Sequence, residues 1–115
     1  MRDATLWAMF LTPAGRLTIA QENKIVWRMT GTGTFTVTAT GPAGTTVRPT
    51  WTEEHTGSTF DRPGDEFGTG WKFPEPGCWT FTATRTTGSA ELTVRVGTPW
   101  RFPPVAGRSG ATAAP

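Results

Sequence analysis

The side chains best suited to ligand binding or acid–base chemistry are concentrated between residues 53 and 71. Carboxylates, the single histidine of the chain, an arginine and aromatic rings follow one another in this polar segment. Long connections of this kind in small domains often carry function. The candidate ligand- or partner-binding residues are Glu53, Glu54, His55, Arg62, Asp65, Glu66, Phe67 and Trp71.

The counts of histidine and cysteine limit the metal and nucleophilic chemistry open to the chain. His55 alone cannot supply the two imidazoles of a cupredoxin copper site, and Cys78 alone cannot supply the thiolates of a structural zinc site. The acids do not follow the alternate spacing of an EF-hand loop, and no Gly-x-Ser-x-Gly nucleophile motif occurs. We therefore expect no enzymatic activity, no catalytic residue, no metal site and no cofactor.

Charge and hydropathy narrow the class of partner. The net charge is only +2, and the eleven Lys and Arg residues are scattered rather than clustered, which argues against nucleic acid. The apolar stretch near the start, residues 4–11, is too short to span a bilayer, so the chain is not expected to be membrane-spanning. The expected partner is a protein or a cell-envelope polysaccharide, and self-association is an alternative.

The composition points to strands and turns as the elements that position these side chains. The chain has 24 Thr, 14 Gly and 10 Pro, whereas long runs of helix-forming residues are absent. Six Trp and seven Phe supply large apolar side chains for a core. An all-β fold is the expectation.

Strict alternation of apolar and polar residues predicts three strands, at residues 34–40, 78–84 and 90–96. Weaker signals predict further strands at 6–11, 16–20, 24–29, 47–52 and 70–73, separated by Gly- and Pro-rich turns. This pattern predicts an immunoglobulin-like β-sandwich of about seven or eight short antiparallel strands. The predicted structural core is Trp27, Phe35, Val37, Cys78, Trp79, Phe81, Leu92 and Val94. Residues 1–96 should form the domain, and residues 97–115 a flexible Pro/Gly/Ala-rich tail.

Several segments resemble a family of small immunoglobulin-like bacterial proteins that are secreted or lipoproteins, found mainly in high-GC Gram-positive species. The resemblance is carried by Lys24–Met29, Arg62–Trp71, Phe73–Pro74 and, most specifically, the Pro76–Trp79 turn (Pro-Gly-Cys-Trp). It covers roughly Leu6–Val96. The resemblance implies a sandwich fold and an extracytoplasmic location, at the cell surface or secreted, although this chain shows no clear signal peptide. It implies no activity and no catalytic residues.

The predicted function is a non-enzymatic binding or structural module that presents the loop at residues 53–70 and its strand edges to a partner. One alternative is a carbohydrate- or cell-wall-binding module that uses Trp71, Phe67 and the acids of the loop. Another is a structural subunit of a virion or filament. The outward threonines of residues 34–40 and 80–84 also repeat the Thr-x-Thr spacing with which some antifreeze proteins order water, although sheet twist opposes a long flat lattice.

Overall fold

The structure is a computed structural model that describes residues 2–55 and 62–99 of the chain. Within these residues the backbone forms strands, joined by turns and one short 3-10 turn at Pro13–Gly15. The strands are β1 (Arg2–Asp3), β2 (Leu6–Phe10), β3 (Leu17–Thr18), β4 (Asn23–Met29), β5 (Thr36–Thr40), β6 (Thr46–Val47), β7 (Trp51–His55), β8 (Asp65–Trp71), β9 (Gly77–Arg85) and β10 (Gly88–Gly97). The predicted all-β fold class is confirmed.

The strands form two sheets that pack against each other as a sandwich. The first, called the front sheet, has the order β1-β10-β9-β5-β6, with β3 pairing β10 as well. The second, called the back sheet, has the order β2-β4-β8-β7. Most neighbouring strands are antiparallel, but β1 and β3 both pair with β10 in parallel. Because β2 lies between them in sequence and pairs with β4, the first part of the chain crosses from one sheet to the other and back.

Aromatic side chains from both sheets form the core. Trp27 of β4 and Phe81 of β9 meet across the gap with ring centroids 5.2 Å apart, and both are fully buried. Trp71 of β8 contacts the same Phe81 ring edge-on at 5.1 Å. Phe35, Val37 and Trp79 are also buried, because the alternation along β9 and around β5 places them on the inner face. A core of large rings suits a domain with no disulfide between its sheets.

A buried threonine satisfies the polar groups of this core. The Thr69 hydroxyl accepts hydrogen bonds from the indole N–H groups of Trp27 (2.8 Å) and Trp71 (2.7 Å). It donates in turn to the Ile25 carbonyl (2.9 Å). A hydroxyl group has one donor and two acceptor lone pairs, so its full capacity is used. Thr69 therefore fixes the orientation of two indole rings from two adjacent strands of the back sheet.

Three of the predicted secondary-structure assignments require correction. Residues 47–52 form no single strand, because Pro49 lacks the N–H needed to continue a ladder, and the chain passes there from β6 in the front sheet to β7 in the back sheet. The strand predicted at 70–73 is β8, which begins earlier, at Asp65. Residues 53–70 are therefore not one long loop, since β7 and β8 occupy both of its ends.

The prediction that Cys78 lies in the core is wrong, because its thiol is exposed. Trp79 and Phe81 face inward, so the alternation of β9 turns Cys78 to the outer face together with Thr80. Leu92 and Val94 of β10 lie on the inner side but are only partly buried, packed against the rim of the core. β10 ends at Gly97, and residues 100–115 of the predicted tail (97–115) lie outside the described residues.

Candidate functional site

The structure separates the acids that the sequence grouped together. Glu53 and Glu54 are exposed on β7, which is an edge strand of the back sheet. Glu66 of β8 is only 3% exposed, and its Oε1 lies 3.4 Å from Nη2 of Arg28 on β4. Arg28 also donates to the Gly64 carbonyl (2.6 Å). The Glu66 carboxylate is thus engaged in holding the start of β8 against β4.

Asp65 is engaged in the same way by Arg85 of β9. Nη2 of Arg85 lies 2.9 Å from Oδ2 of Asp65, while its Nε and Nη1 donate to the carbonyls of Gly33 (2.9 Å) and Met29 (3.1 Å). Arg85 is only 6% exposed, and its guanidinium lies 5.2 Å from the centre of the Phe67 ring. Such a satisfied buried arginine ties the two sheets together at one end of the sandwich. Asp65 serves as part of this tie.

The aromatic residues predicted to bind a ligand are inside the protein. Trp71 is fully buried, and Phe67 is 6% exposed and stacks on Phe35 with centroids 4.2 Å apart. The prediction that these two residues bind a ligand is therefore wrong, because alternation along β8 turns both rings into the core. The sugar-binding platform that depended on them is not present at this position.

The two remaining candidates lie on either side of residues 56–61. Arg62 is exposed in the bend before β8. The backbone of His55 ends β7, but its side chain lies outside the described residues, as do residues 56–61 of the predicted loop.

The structure reveals an open strand edge that the sequence analysis did not single out. β6 pairs only with Ala39 and Thr40 of β5, so the first part of β5 forms the edge of the front sheet. The Gly41 N–H donates to the Thr45 carbonyl (2.9 Å) in the hairpin turn. Alternate residues of an antiparallel strand direct their amides and carbonyls to the same neighbouring strand. Val37 lies four residues before Gly41, so its amide and carbonyl point to the side of β6, beyond the end of that short strand.

A groove of about 310 Å³ runs beside this edge. It lies between the two sheets, since residues of β5, the β6–β7 connection and β7 all contribute to it. Its lining residues are Phe35, Thr36, Val37, Thr38, Arg48, Pro49 and Thr52. We refer to these residues as the edge groove. Two features of the sequence could have predicted it: only residues 45–48 separate the Pro42–Gly44 turn from Pro49, and Pro49 cannot extend a strand alongside β5.

One charged side chain lines the edge groove, the exposed Arg48. Backbone hydrogen-bonding groups, an apolar floor formed by Phe35 and Val37, and this cation together suit the recognition of an extended polypeptide.

Within residues 2–55 and 62–99, no three His, Cys, Asp or Glu side chains come together in a group that suits a metal ion. In that same part of the chain, no helix has the length and apolar character needed to cross a membrane.

No protein-family model, curated protein or solved structure matches this chain. Its function is therefore inferred from the geometry of the described residues.

Proposed function

We propose that this chain is a non-enzymatic, immunoglobulin-like module that acts outside the cytoplasm and binds an extended strand of a protein partner in the edge groove. The observation that carries the proposal is the incomplete pairing of β5, which β6 covers only at Ala39 and Thr40. A strand edge with free backbone groups is a template for another strand.

The strand order supports the immunoglobulin-like assignment. In immunoglobulin constant domains one sheet contains strands A, B, E and D and the other contains C, F and G. The back sheet here has the sequence order expected of A-B-E-D, and β10-β9-β5 has that of G-F-C. β6 then takes the place of a short additional strand next to C. The extracytoplasmic location rests on the resemblance carried by Pro76–Trp79.

Addition of a strand from the partner would use both the free backbone groups of β5 and the side chains that line the groove. The amide and carbonyl of Val37 would pair with the main chain of the partner, which supplies affinity without regard to sequence. Alternate side chains of the added strand would enter the groove beside Phe35, and Arg48 would favour an acidic residue there. The acids of β8 serve a different purpose in this account, because their partners Arg28 and Arg85 tie strands together.

The proposal is tested by site-specific photo-crosslinking. A photoreactive amino acid is placed at Thr52, which lines the groove, and in a matched protein at Glu91, which is exposed on β10 of the front sheet. Each protein is incubated with the envelope fraction and with purified chain alone, and is then irradiated. We expect a discrete adduct from position 52 and none from position 91.

The size of the adduct separates the partner classes. An adduct of two copies of the chain assigns the groove to self-association, as in a filament subunit, and a larger one assigns it to a different protein. No adduct from position 52, or the same adducts from both positions, would contradict the proposal.

A further inference from the structure

The outer edge of β10 is covered only at its two ends. β1 pairs with the first two residues of this strand, and β3 pairs with the last two. β3 reaches no further because the Pro13–Gly15 turn directs the preceding chain away from β10. Ala14, at the centre of this turn, has a φ of 57°, in the left-handed region that favours glycine. The turn therefore holds the chain away from β10 at some cost in backbone strain.

A groove of about 350 Å³ lies where β3 and β10 separate. Its floor is apolar and consists of Phe10 of β2, Leu17 of β3 and Val94 of β10, which all pack with the core. Arg16 and Arg95 line the same groove and are exposed. We call these five residues the arginine groove. Its volume is at the lower end of the range of small-molecule sites, which is roughly 300–1,000 Å³.

The two arginines occupy corresponding positions on neighbouring strands. Leu17 pairs with Val96, and Arg16 and Arg95 directly precede these two residues. The backbone of Arg16 is extended (φ −120°, ψ 144°), so it continues the line of β3. Because Leu17 and Val96 are buried, alternation turns both arginine side chains to the outer face. Like charges in neighbouring cross-strand positions destabilise a sheet.

No acid of the described chain neutralises these two charges. Arg28 and Arg85 are paired with acids, but the guanidinium groups of Arg16 and Arg95 make no ion pair or hydrogen bond within residues 2–55 and 62–99. The residue opposite Arg95 on β9 is Cys78 rather than an acid. A bound carboxylate would offset the repulsion, because each planar guanidinium can donate two parallel hydrogen bonds to it.

A backbone amide adds a further donor beside the arginines. The Gly97 carbonyl accepts a hydrogen bond from the Ile19 N–H (3.0 Å), so alternate residues of β10 counted back from Gly97 direct their backbone groups to this edge. Arg95 lies two residues before Gly97, and the ladder with β3 begins only at Val96. The Arg95 N–H therefore faces the opening, where an anion can accept its hydrogen bond.

We propose that the arginine groove binds a small fatty acid. Its carboxylate lies between Arg16 and Arg95, and its hydrocarbon chain lies against the apolar floor. The unpaired positive charges select an anion, and a floor without polar side chains favours an alkyl chain over a sugar or a peptide, whose polar groups would lose their water. This site is separate from the edge groove, because β9 lies between β10 and β5 in the front sheet.

Charge argues against the chain's own C-terminal segment as the occupant. Thr98, which follows β10, still borders the groove, so the segment that follows begins close to it. Residues 100–115 contain two arginines and no acid. Their positive charge opposes binding beside two unpaired arginines.

The test titrates the isotope-labelled full chain with octanoate, below its micelle concentration, and follows the backbone amides by nuclear magnetic resonance. Acetate supplies the carboxylate alone, octanol supplies the alkyl chain alone, and N-acetyl-leucine supplies a carboxylate on an apolar amino acid. We expect octanoate to shift the amides of Leu17 and Arg95 in a saturable manner. The three other probes, at the same concentration, should shift these amides far less.

Single substitutions then locate the site. Arg16→Gln and Arg95→Gln should each weaken octanoate binding about fivefold or more, because each removes charge-assisted hydrogen bonds to the carboxylate. Lys72→Gln is the matched control, since it removes one exposed cation that follows β8 and lies outside the groove. It should bind octanoate as the unaltered chain does. Removal of one of two like charges should leave the thermal unfolding midpoint unchanged or raise it.

Several results would overturn the proposal. No saturable response to octanoate in the unaltered chain would do so, as would an equal response to acetate or octanol. A stronger response to N-acetyl-leucine would assign the groove to a peptide terminus instead. Equal weakening in Lys72→Gln and the arginine variants would reveal only an effect of net charge.

Two further results would assign these residues to another role. A lower unfolding midpoint in both arginine variants would mean that the arginines hold the strands together. Spectra of the free chain that change at Leu17 and Arg95 with protein concentration would assign the groove to a second copy of the chain. None of these results bears on crosslinking at the edge groove, so the two proposals fail separately.

Discussion

In the back sheet, Thr69 lies inside the core with its full hydrogen-bonding capacity used, whereas the threonines of β5 and β9 in the front sheet face outward: Thr36, Thr38, Thr40, Thr80, Thr82 and Thr84. The difference comes from what lies on the inner positions of each strand. β9 fills its inner positions with Trp79, Phe81 and Ala83, which leaves threonine for solvent. On β8, the inner position of Thr69 lies between the indole rings of Trp27 and Trp71, whose N–H groups need an acceptor.

The outer faces of the two sheets also differ in how far their side chains are covered by neighbours. On the back sheet Val26 is 2% exposed and Glu66 is 3% exposed, although both point away from the core. Gly70 lies beneath the Trp51 ring on the same face, and Nζ of Lys24 stands 5.7 Å from the centre of that ring. Outward-facing Arg28 and Glu66 of the back sheet are therefore paired with each other and serve the fold, whereas the threonines on the outer face of β5 and β9 point away from the core.

The largest expected effect is at Thr69. Thr69→Val should lower the free energy of unfolding by about 2–5 kcal/mol, because each buried indole N–H left without an acceptor costs about 1–3 kcal/mol. Thr69→Ser keeps the hydroxyl and should lose far less. Both are measured by denaturant unfolding. Equal stability of the two variants would show that the hydroxyl does not organise the back sheet.

A smaller effect is expected where Trp51 covers the back sheet. A Cβ atom added at Gly70 would collide with Nε1 of Trp51, so Gly70→Ala should cost about 1–3 kcal/mol as the ring is displaced. Gly97→Ala is the control, since a Cβ atom there meets nothing within 4 Å. Unfolding curves and the emission maximum of tryptophan fluorescence report the change. Identical behaviour of the two variants would mean that the ring does not lie on this face.

Thr82→Val should change stability by no more than about 0.5 kcal/mol, because it alters a solvent-facing side chain without moving the core. This near-neutral result is the counterpart of the large loss expected at Thr69. It is measured in the same denaturant series. A loss as large as that of Thr69→Val would remove the distinction between the two kinds of threonine.

The smallest effect concerns Glu22, which precedes β4. A hydrogen bond from the Thr50 hydroxyl (2.6 Å) lowers the pKa of Glu22 below its ordinary value. A lowered pKa in the folded state favours folding above the ordinary pKa, and this contribution disappears as the pH falls through the lowered value. Titration by nuclear magnetic resonance should show the pKa of Glu22 rising towards its ordinary value in Thr50→Val. An unchanged pKa would mean that the hydroxyl does not hold the carboxylate.

Much of the fold could be predicted from sequence because period-2 alternation is strong in β5, β9 and β10. The back sheet was harder to predict. β4 is buried on both faces at Ile25, Val26 and Trp27, and β8 contains glycines at positions 68 and 70, so neither strand shows a clean alternation. The polar character of residues 53–70 then suggested a loop where β7 and β8 occur.

The candidate site could be predicted only in part, for a similar reason. Exposure of Glu53 and Glu54 follows from their position on an edge strand, but the partners of Asp65 and Glu66 come from β9 and β4, far away in sequence. No local sequence pattern predicts such long-range ion pairs. The open edge at Val37 likewise depends on how far β6 extends, which is decided where the chain turns away at Pro49.

Amide hydrogen exchange along β5 tests the central claim, that this strand edge is open. The amides of Thr36 and Thr38 bond towards β9, whereas that of Val37 faces the edge groove. We expect the Val37 amide to exchange much faster than its two neighbours, and to become protected when a strand-like partner binds. Equal protection of all three amides in the free chain would show that the edge is already occupied, and would contradict the account.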